Sequence, residues 1–248
     1  MTVKDIYDYL NLIAPFDTAE DWDNCGLTIG SFNKEVKKVY IALDVTNDVL
    51  KDAISFGADL VITHHPMIFN PVSQILCDGL VYKAVASGMS FIASHTCLDK
   101  ANGGVNHCLA KKLGIKNLKT SENDVFLKFG NVEPCTAEEF AKKTKSALGG
   151  VVSFTDAGKT IKTVALCSGS GGDLVAEAKA IGADAFLTGE AKHHEYLLSK
   201  DIDISIFVAG HFETENIVCE FLYKSLKEKF GDEVEIKVSD LKNPINYI

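Results

Sequence analysis

Residues 39–63, VYIALDVTNDVLKDAISFGADLVIT, recur without a gap as residues 164–188, VALCSGSGGDLVAEAKAIGADAFLT, 125 positions further along the chain. The identities fall at equivalent places. Val39/Val164 opens an apolar run, Asp48/Asp173 and Ala53/Ala178 lie in a helix-length stretch, and Gly57-Ala58-Asp59/Gly182-Ala183-Asp184 turns into a second run ending at Thr63/Thr188. This pattern describes two related βαβ halves of an α/β fold. The runs Val39–Leu43, Leu60–Thr63 and Phe91–Ser94, and in the second half Val164–Cys167, Ala185–Thr188 and Ile204–Ala209, are apolar at almost every position. Strands of that kind are buried on both faces of a parallel sheet covered by helices. Asn47–Phe56 and Leu174–Ile181 supply the crossover helices.

Outside the repeat, Ile6, Leu10 and Ile13 share one helical face behind Thr2, with Asp5 as capping-box partner and Pro15 as the stop. Between the halves the pattern changes. Val125–Phe129 reads as a strand, Thr136-x-x-Glu139 caps a helix, and Gly149-Gly150 precedes another strand, which makes residues 116–160 a connecting α/β segment between halves at 1–115 and 161–248. No Pro/Ser-rich linker separates them, so close packing of the halves is expected.

The 248 residues are 46% hydrophobic and 24% charged, enough for a sizeable core and too apolar for a disordered chain. A formal net charge of −9 and the lack of a dense Lys/Arg cluster argue against DNA or RNA as a general partner. The longest apolar stretches are far shorter than a membrane span, and Lys4 and Asp5 fall where a signal peptide needs an apolar run, so a soluble cytoplasmic protein is expected. Seven cysteines without a C-x-x-C pair argue against a disulfide framework or a thiolate zinc knuckle. Most of them read as small buried hydrophobes.

Chemistry gathers at the predicted strand ends. Thr63-His64-His65-Pro66 closes a buried strand, where open α/β sheets collect their ligands. Adjacent strand residues face opposite ways, so the two imidazoles converge only if the chain turns, which Pro66 permits. The competing reading is a histidine pair hydrogen-bonded to loops. His95-x-x-x-Asp99 and His211-x-x-x-Glu215 each follow an apolar strand and open a helix, a spacing that puts both side chains on one face. One such pair reads equally as helix capping, but two pairs together with His64-His65 point to a metal centre. Imidazole and carboxylate donors suit zinc, iron or manganese. Five donors exceed the needs of one catalytic zinc, so two divalent ions sharing a carboxylate and a water are expected, an arrangement suited to hydrolysis.

Ser168-Gly169-Ser170-Gly171-Gly172-Asp173 has two readings, an anion-binding turn or an ordinary tight strand-to-helix connection; it matches neither dinucleotide nor Walker motifs. Thr188-Gly189-Glu190 and His193-His194-Glu195 follow the matching strand, either lining the same crevice or standing solvated at a helix start. Trp22, in the turn Trp22-Asp23-Asn24-Cys25-Gly26, reads as a packing anchor.

Together these motifs resemble the GTP cyclohydrolase I type 2 family, also called NGG-interacting-factor-three-like or Nif-three-like. The likeness runs through Trp22-Asp23-Asn24, Leu43-Asp44, Ile62-Thr63-His64-His65-Pro66, His95-Thr96 with Leu98-Asp99, Gly103-Gly104-Val105-Asn106, Ser168 to Asp173, Thr188-Gly189-Glu190, and Gly210-His211 with Thr214-Glu215. It covers almost the whole chain, in the compact form without the additional domain of longer relatives. The resemblance implies the Nif-three-like fold and a dinuclear metal centre held by His64, His65, Asp99, His211 and Glu215, with His95 and His194 near the metals as candidates for proton transfer. It also implies a toroidal homohexamer and a small-molecule substrate, named by the family as GTP, converted with water to formate and 7,8-dihydroneopterin triphosphate. A non-catalytic protein that binds or hands on metal through partners is the alternative. Cysteines at 25 and 97 depart from similar sequences and place extra thiols beside the expected metals.

Overall fold

In the computed structural model, which describes residues 1–248, the repeat holds down to individual hydrogen bonds. Asp59 Oδ2 accepts the N–H groups of Lys37 and Lys38 at 2.9 and 3.0 Å, and Asp184 Oδ2 accepts those of Lys162 and Thr163, both at 2.9 Å. The preceding glycines, Gly57 and Gly182, have φ of +76° and +83°. That backbone region is costly for residues bearing a Cβ, which explains why glycine ends the helix in both copies.

The chain forms two compact units, the first comprising Met1–Asn102 with Val218–Lys242 and the second Gly103–Ile217 with Asn243–Ile248. In the first, β1 (Gly26–Ile29), β2 (Lys38–Ala42), β3 (Leu60–Thr63) and β4 (Ser90–Ala93) lie in the order β1-β4-β3-β2. Strands β2, β3 and β4 run parallel, and β1 is antiparallel to β4, pairing Gly26 with Ala93. The crossover helix Asn47–Phe56 buries Val49, Leu50 and Ala53 against Tyr40, Ala42 and Val61. The opening helix is Val3–Ile13, with the Thr2 N–H donating to Asp5 Oδ2 at 2.7 Å.

The second unit contains β5 (Lys116–Thr120), β6 (Lys128–Cys135), β7 (Ser153–Phe154), β8 (Ile161–Cys167), β9 (Ala185–Thr188) and β10 (Ser205–Val208), in the sheet order β5-β6-β8-β9-β10-β7. The parallel pair β8-β9 is the repeat's second copy, and β10 adds in parallel beside β9. Residues 116–160 contribute the antiparallel outer strands of this same sheet. Phe140, on the helix Ala137–Leu148 capped by Thr136 and Glu139, meets Phe207 with ring centroids 4.8 Å apart. The strand expected at Val125–Phe129 begins only at Lys128. Asp124 holds the preceding residues in a turn, its carboxylate accepting the Phe126 N–H at 2.8 Å and its carbonyl the Leu127 N–H at 3.3 Å.

After Ile217 the chain returns to the first unit, where β11 (Glu235–Val238) adds to the sheet parallel to β2. No helix is long and apolar enough to cross a membrane.

Candidate metal centre

In the first unit, three histidines converge beyond the ends of β3 and β4. The chain turns at the end of β3 as the Thr63 hydroxyl donates to the His65 carbonyl at 2.7 Å and the His65 N–H donates to the Leu43 carbonyl at 3.0 Å. This turn brings consecutive imidazoles to one side, with His64 and His65 ring centroids 4.9 Å apart and His95 at 5.1 and 5.2 Å from them. One ligand-capable ring nitrogen of each lies within 4.8 Å of the others.

Each Nδ1 lies on an oxygen: His64 on the Ser94 carbonyl at 2.9 Å, His65 on Asp44 Oδ1 at 2.7 Å, and His95 on Asp23 Oδ1 at 3.0 Å. A carbonyl or an ionised carboxylate only accepts, so the proton of each neutral ring sits on Nδ1 and the lone pair is at Nε2. Histidines that ligate metals carry this support on their second nitrogen. Asp99 Oδ1 is 3.5 Å from His64 Nε2 and supplies a hard anionic donor beside the imidazoles. His64 is fully buried and Asp99 is buried as well, whereas a surface histidine pair would be solvated.

Asp23 anchors the other side. Burial disfavours its charge, but hydrogen bonds from His95 and from the Thr96 hydroxyl and N–H outweigh that penalty and hold the carboxyl well below the usual carboxylate range. Trp22, expected as a packing anchor, is instead largely exposed, with its ring standing edge-on to His95 at 5.9 Å. Phe69 approaches the same imidazole edge-on at 5.6 Å. Cys25 and Cys97 face each other nearby, sulfurs 3.5 Å apart.

In the second unit, His211 opens the helix His211–Glu215, and its Nε2 lies 3.0 Å from Glu215 Oε2, as the four-residue spacing predicts. Its Nδ1 is 3.4 Å from Glu190 Oε1. Backbone packing fixes the arrangement: a Cβ on Gly189 would lie 2.7 Å from the Gly169 carbonyl and 2.9 Å from His211 Cα, so only glycine lets the end of β9 pass beneath this helix. The Ser168–Asp173 loop behaves as a tight turn, since three of its N–H groups already donate to side chains: Ser168 to Asn106 Oδ1, Gly169 to Thr214 Oγ1 and Gly171 to Thr188 Oγ1. A cavity of about 650 Å³ opens beside His211, with Glu190, Lys192 and Glu195 among its polar lining and Val151, Ile245 and Tyr247 on its apolar side. His194 points outward, 72% exposed, with Nε2 at 3.9 Å from Glu195.

Sequence reasoning did not single out Asp23, Asp44 or Glu190 as supports for the histidines. Asp44 and Glu190 carried a usable signal, since each lies just past the end of an apolar strand, whereas Asp23 meets His95 across 72 residues with no periodic pattern to announce it.

A Clostridium perfringens protein named GTP cyclohydrolase 1 type 2 homolog is 34% identical over 263 aligned residues, covering all of both chains. A Helicobacter pylori protein named GTP cyclohydrolase 1 type 2 is 30% identical over 260 residues, covering 99% of each. The crystal structure of a Staphylococcus aureus hypothetical protein matches the fold with a TM-score of 0.93 at 30% identity, over 100% of this chain and 99% of that one. With the family model for Duf34/NIF3 (NGG1p interacting factor 3) matching residues 1–244, the chain belongs to that family.

Proposed function

We propose that the protein is a metal-dependent hydrolase of a small molecule, with a nucleotide as the substrate class and GTP as the first candidate. Five residues, His64, His65, Asp99, His211 and Glu215, are the proposed ligands of two divalent ions, zinc, iron or manganese. The observation that carries the reading is the uniform support of the three first-unit imidazoles, each with Nδ1 on an oxygen and each with one ligand-capable nitrogen within 4.8 Å of the others. Buried histidines in an ordinary core have no reason to share one tautomer and converge. The relatives' name, GTP cyclohydrolase 1 type 2, supports the substrate class.

Bound ions would supply Lewis-acid polarisation of the attacked carbon and activation of water. The chain's own residues then orient and move protons. Asp23 fixes His95 with its proton on Nδ1, leaving Nε2 to accept or deliver a proton at the reacting group. His194 is the second proposed proton carrier, its exposure giving free exchange with solvent. The cavity beside His211 is of a size that suits a small molecule, and its apolar side offers Tyr247 to a flat ring. A toroidal homohexamer in the cytoplasm completes the proposal: six chains of 26.9 kDa, 6 × 26.9 or about 161 kDa, should be found by light scattering across a dilution series.

The decisive experiment incubates metal-loaded protein with a panel of nucleotides and related esters and follows products by mass. Formate released from GTP, abolished by chelation and by His211→Ala, supports the proposal. Formate that survives either treatment identifies a contaminating enzyme. No product with any of the three metals, despite tight metal binding, replaces the hydrolase reading with the metal-handling one.

A further inference from the structure

The first unit carries a second chemical feature that the metal-centre reading does not use. Cys25 precedes β1 and Cys97 lies on the short helix Thr96–Lys100, 72 residues apart in sequence, yet their sulfurs are 3.5 Å apart. Register explains the encounter: Gly26 pairs with Ala93, so Cys25 stands opposite the residue after β4, Ser94, whose hydroxyl lies 3.4 Å from Cys97 Sγ. Cys97 is buried and Cys25 half-buried, whereas Cys77 is exposed. A disulfide needs its sulfurs about 2.05 Å apart, so closure asks for an approach of roughly 1.5 Å.

We propose that Cys25 and Cys97 are a redox modification site, closing to a reversible intramolecular disulfide under hydroperoxide and reopened by a dithiol reductant. One sulfur attacks the O–O bond of the hydroperoxide, forming a sulfenic acid and releasing water or an alcohol. The other sulfur displaces the sulfenic oxygen as a second water, and the S–S bond forms. The two thiols lose two electrons and two protons in all, and the peroxide takes up both. Reduction reverses the bond by thiol–disulfide exchange, the reductant leaving as its own disulfide.

The position gives the bridge a readout in the fold. Cys25 lies two residues beyond Asp23, and its sulfur accepts the His95 N–H at 3.3 Å. Cys97 lies midway between His95 and Asp99. Closure therefore ties the loop that orients His95 to the helix that carries Asp99. The sulfur chemistry itself needs no metal and no substrate, so its test stands apart from the hydrolase reading.

The test treats the folded chain with hydrogen peroxide, blocks remaining thiols with N-ethylmaleimide in denaturant, and analyses tryptic peptides by mass. Cys25 lies in peptide 5–34, Cys97 in peptide 84–100 and Cys77 in peptide 52–83. The expected product is 5–34 joined to 84–100, two hydrogens lighter than their sum, lost on dithiothreitol treatment. It should form equally in Cys77→Ser and be absent from Cys25→Ser and Cys97→Ser. Should either serine variant misfold, the Cys77→Ser result still decides. Recovery of both peptides as maleimide adducts, under peroxide that oxidises Cys77, overturns the proposal, as does sulfinic acid on either cysteine without the cross-link.

Discussion

Asp23 and His95 meet through Oδ1 and Nδ1 at 3.0 Å, while the other carboxylate oxygen takes the Thr96 N–H at 3.0 Å, so one buried side chain sets both the tautomer of His95 and the start of its helix. Asn at position 23 keeps the shape but removes the charge that makes the imidazole a stronger donor. His95 is the proposed proton carrier and not one of the five proposed ligands, so Asp23→Asn should lower turnover by about 100-fold and leave metal affinity unchanged. Product formation followed beside competition against a chelating dye separates the two effects. Unchanged turnover, with the fold intact, would remove His95 from the reaction.

The same carboxylate sets a pH dependence. Its pKa is lower in the folded chain than the ordinary value of 3.8, so between those two values the unfolded chain binds more protons and stability rises with pH. The contribution is complete above 3.8 and is lost as pH falls below it. In chelator-treated protein, the urea-midpoint difference between wild type and Asp23→Asn should stay constant down to about pH 5 and then narrow in more acid solution. A difference that persists undiminished through the acid limb would show that the Asn variant loses packing rather than charge.

Two glycines separate a structural effect from a site effect. Gly189→Ala would force a Cβ to within 2.7 Å of the Gly169 carbonyl and 2.9 Å of His211 Cα, and backbone must yield. We expect a loss of about 1–3 kcal/mol together with weakened metal binding, because His211 moves. Gly182 has φ of +83° and open space around it, so Gly182→Ala should cost about 1–2 kcal/mol through backbone strain and leave metal binding unchanged. Urea melts paired with metal titrations distinguish the two. Equal effects on metal binding would mean that Gly189 does not position His211.

The repeat made the parallel centres of both sheets legible: Leu60–Thr63 and Ala185–Thr188 are strands with the bounds read from sequence, because a strand buried on both faces is apolar at every residue. The edges were not. β5, Lys116–Thr120, is largely exposed and polar, and β11, Glu235–Val238, joins the first sheet only after the chain has passed through the second unit. Neither has a local signal, since their place is decided by partners distant in sequence. In the site the same division holds. His211 and Glu215 were readable because helical spacing is local, whereas the pairing of His95 with Asp23 depends on the turn before β1 and left no periodic trace.

The ligand count tests the proposed centre most directly. Protein purified without chelator should contain about two divalent ions per chain, since imidazole and carboxylate donors in this number satisfy a pair rather than a single ion. His64→Ala removes a fully buried donor and should lower the elemental content, and so should Glu215→Ala. About one ion per chain, unaffected by His64→Ala, would sink the dinuclear proposal. Both variants should keep the far-ultraviolet circular dichroism of the wild type, because each unit has its own packed sheet and helices to hold it. If removing either ligand instead unfolds the protein at ordinary temperature, the ions are part of the folding free energy, and the proposed catalytic centre becomes a structural one.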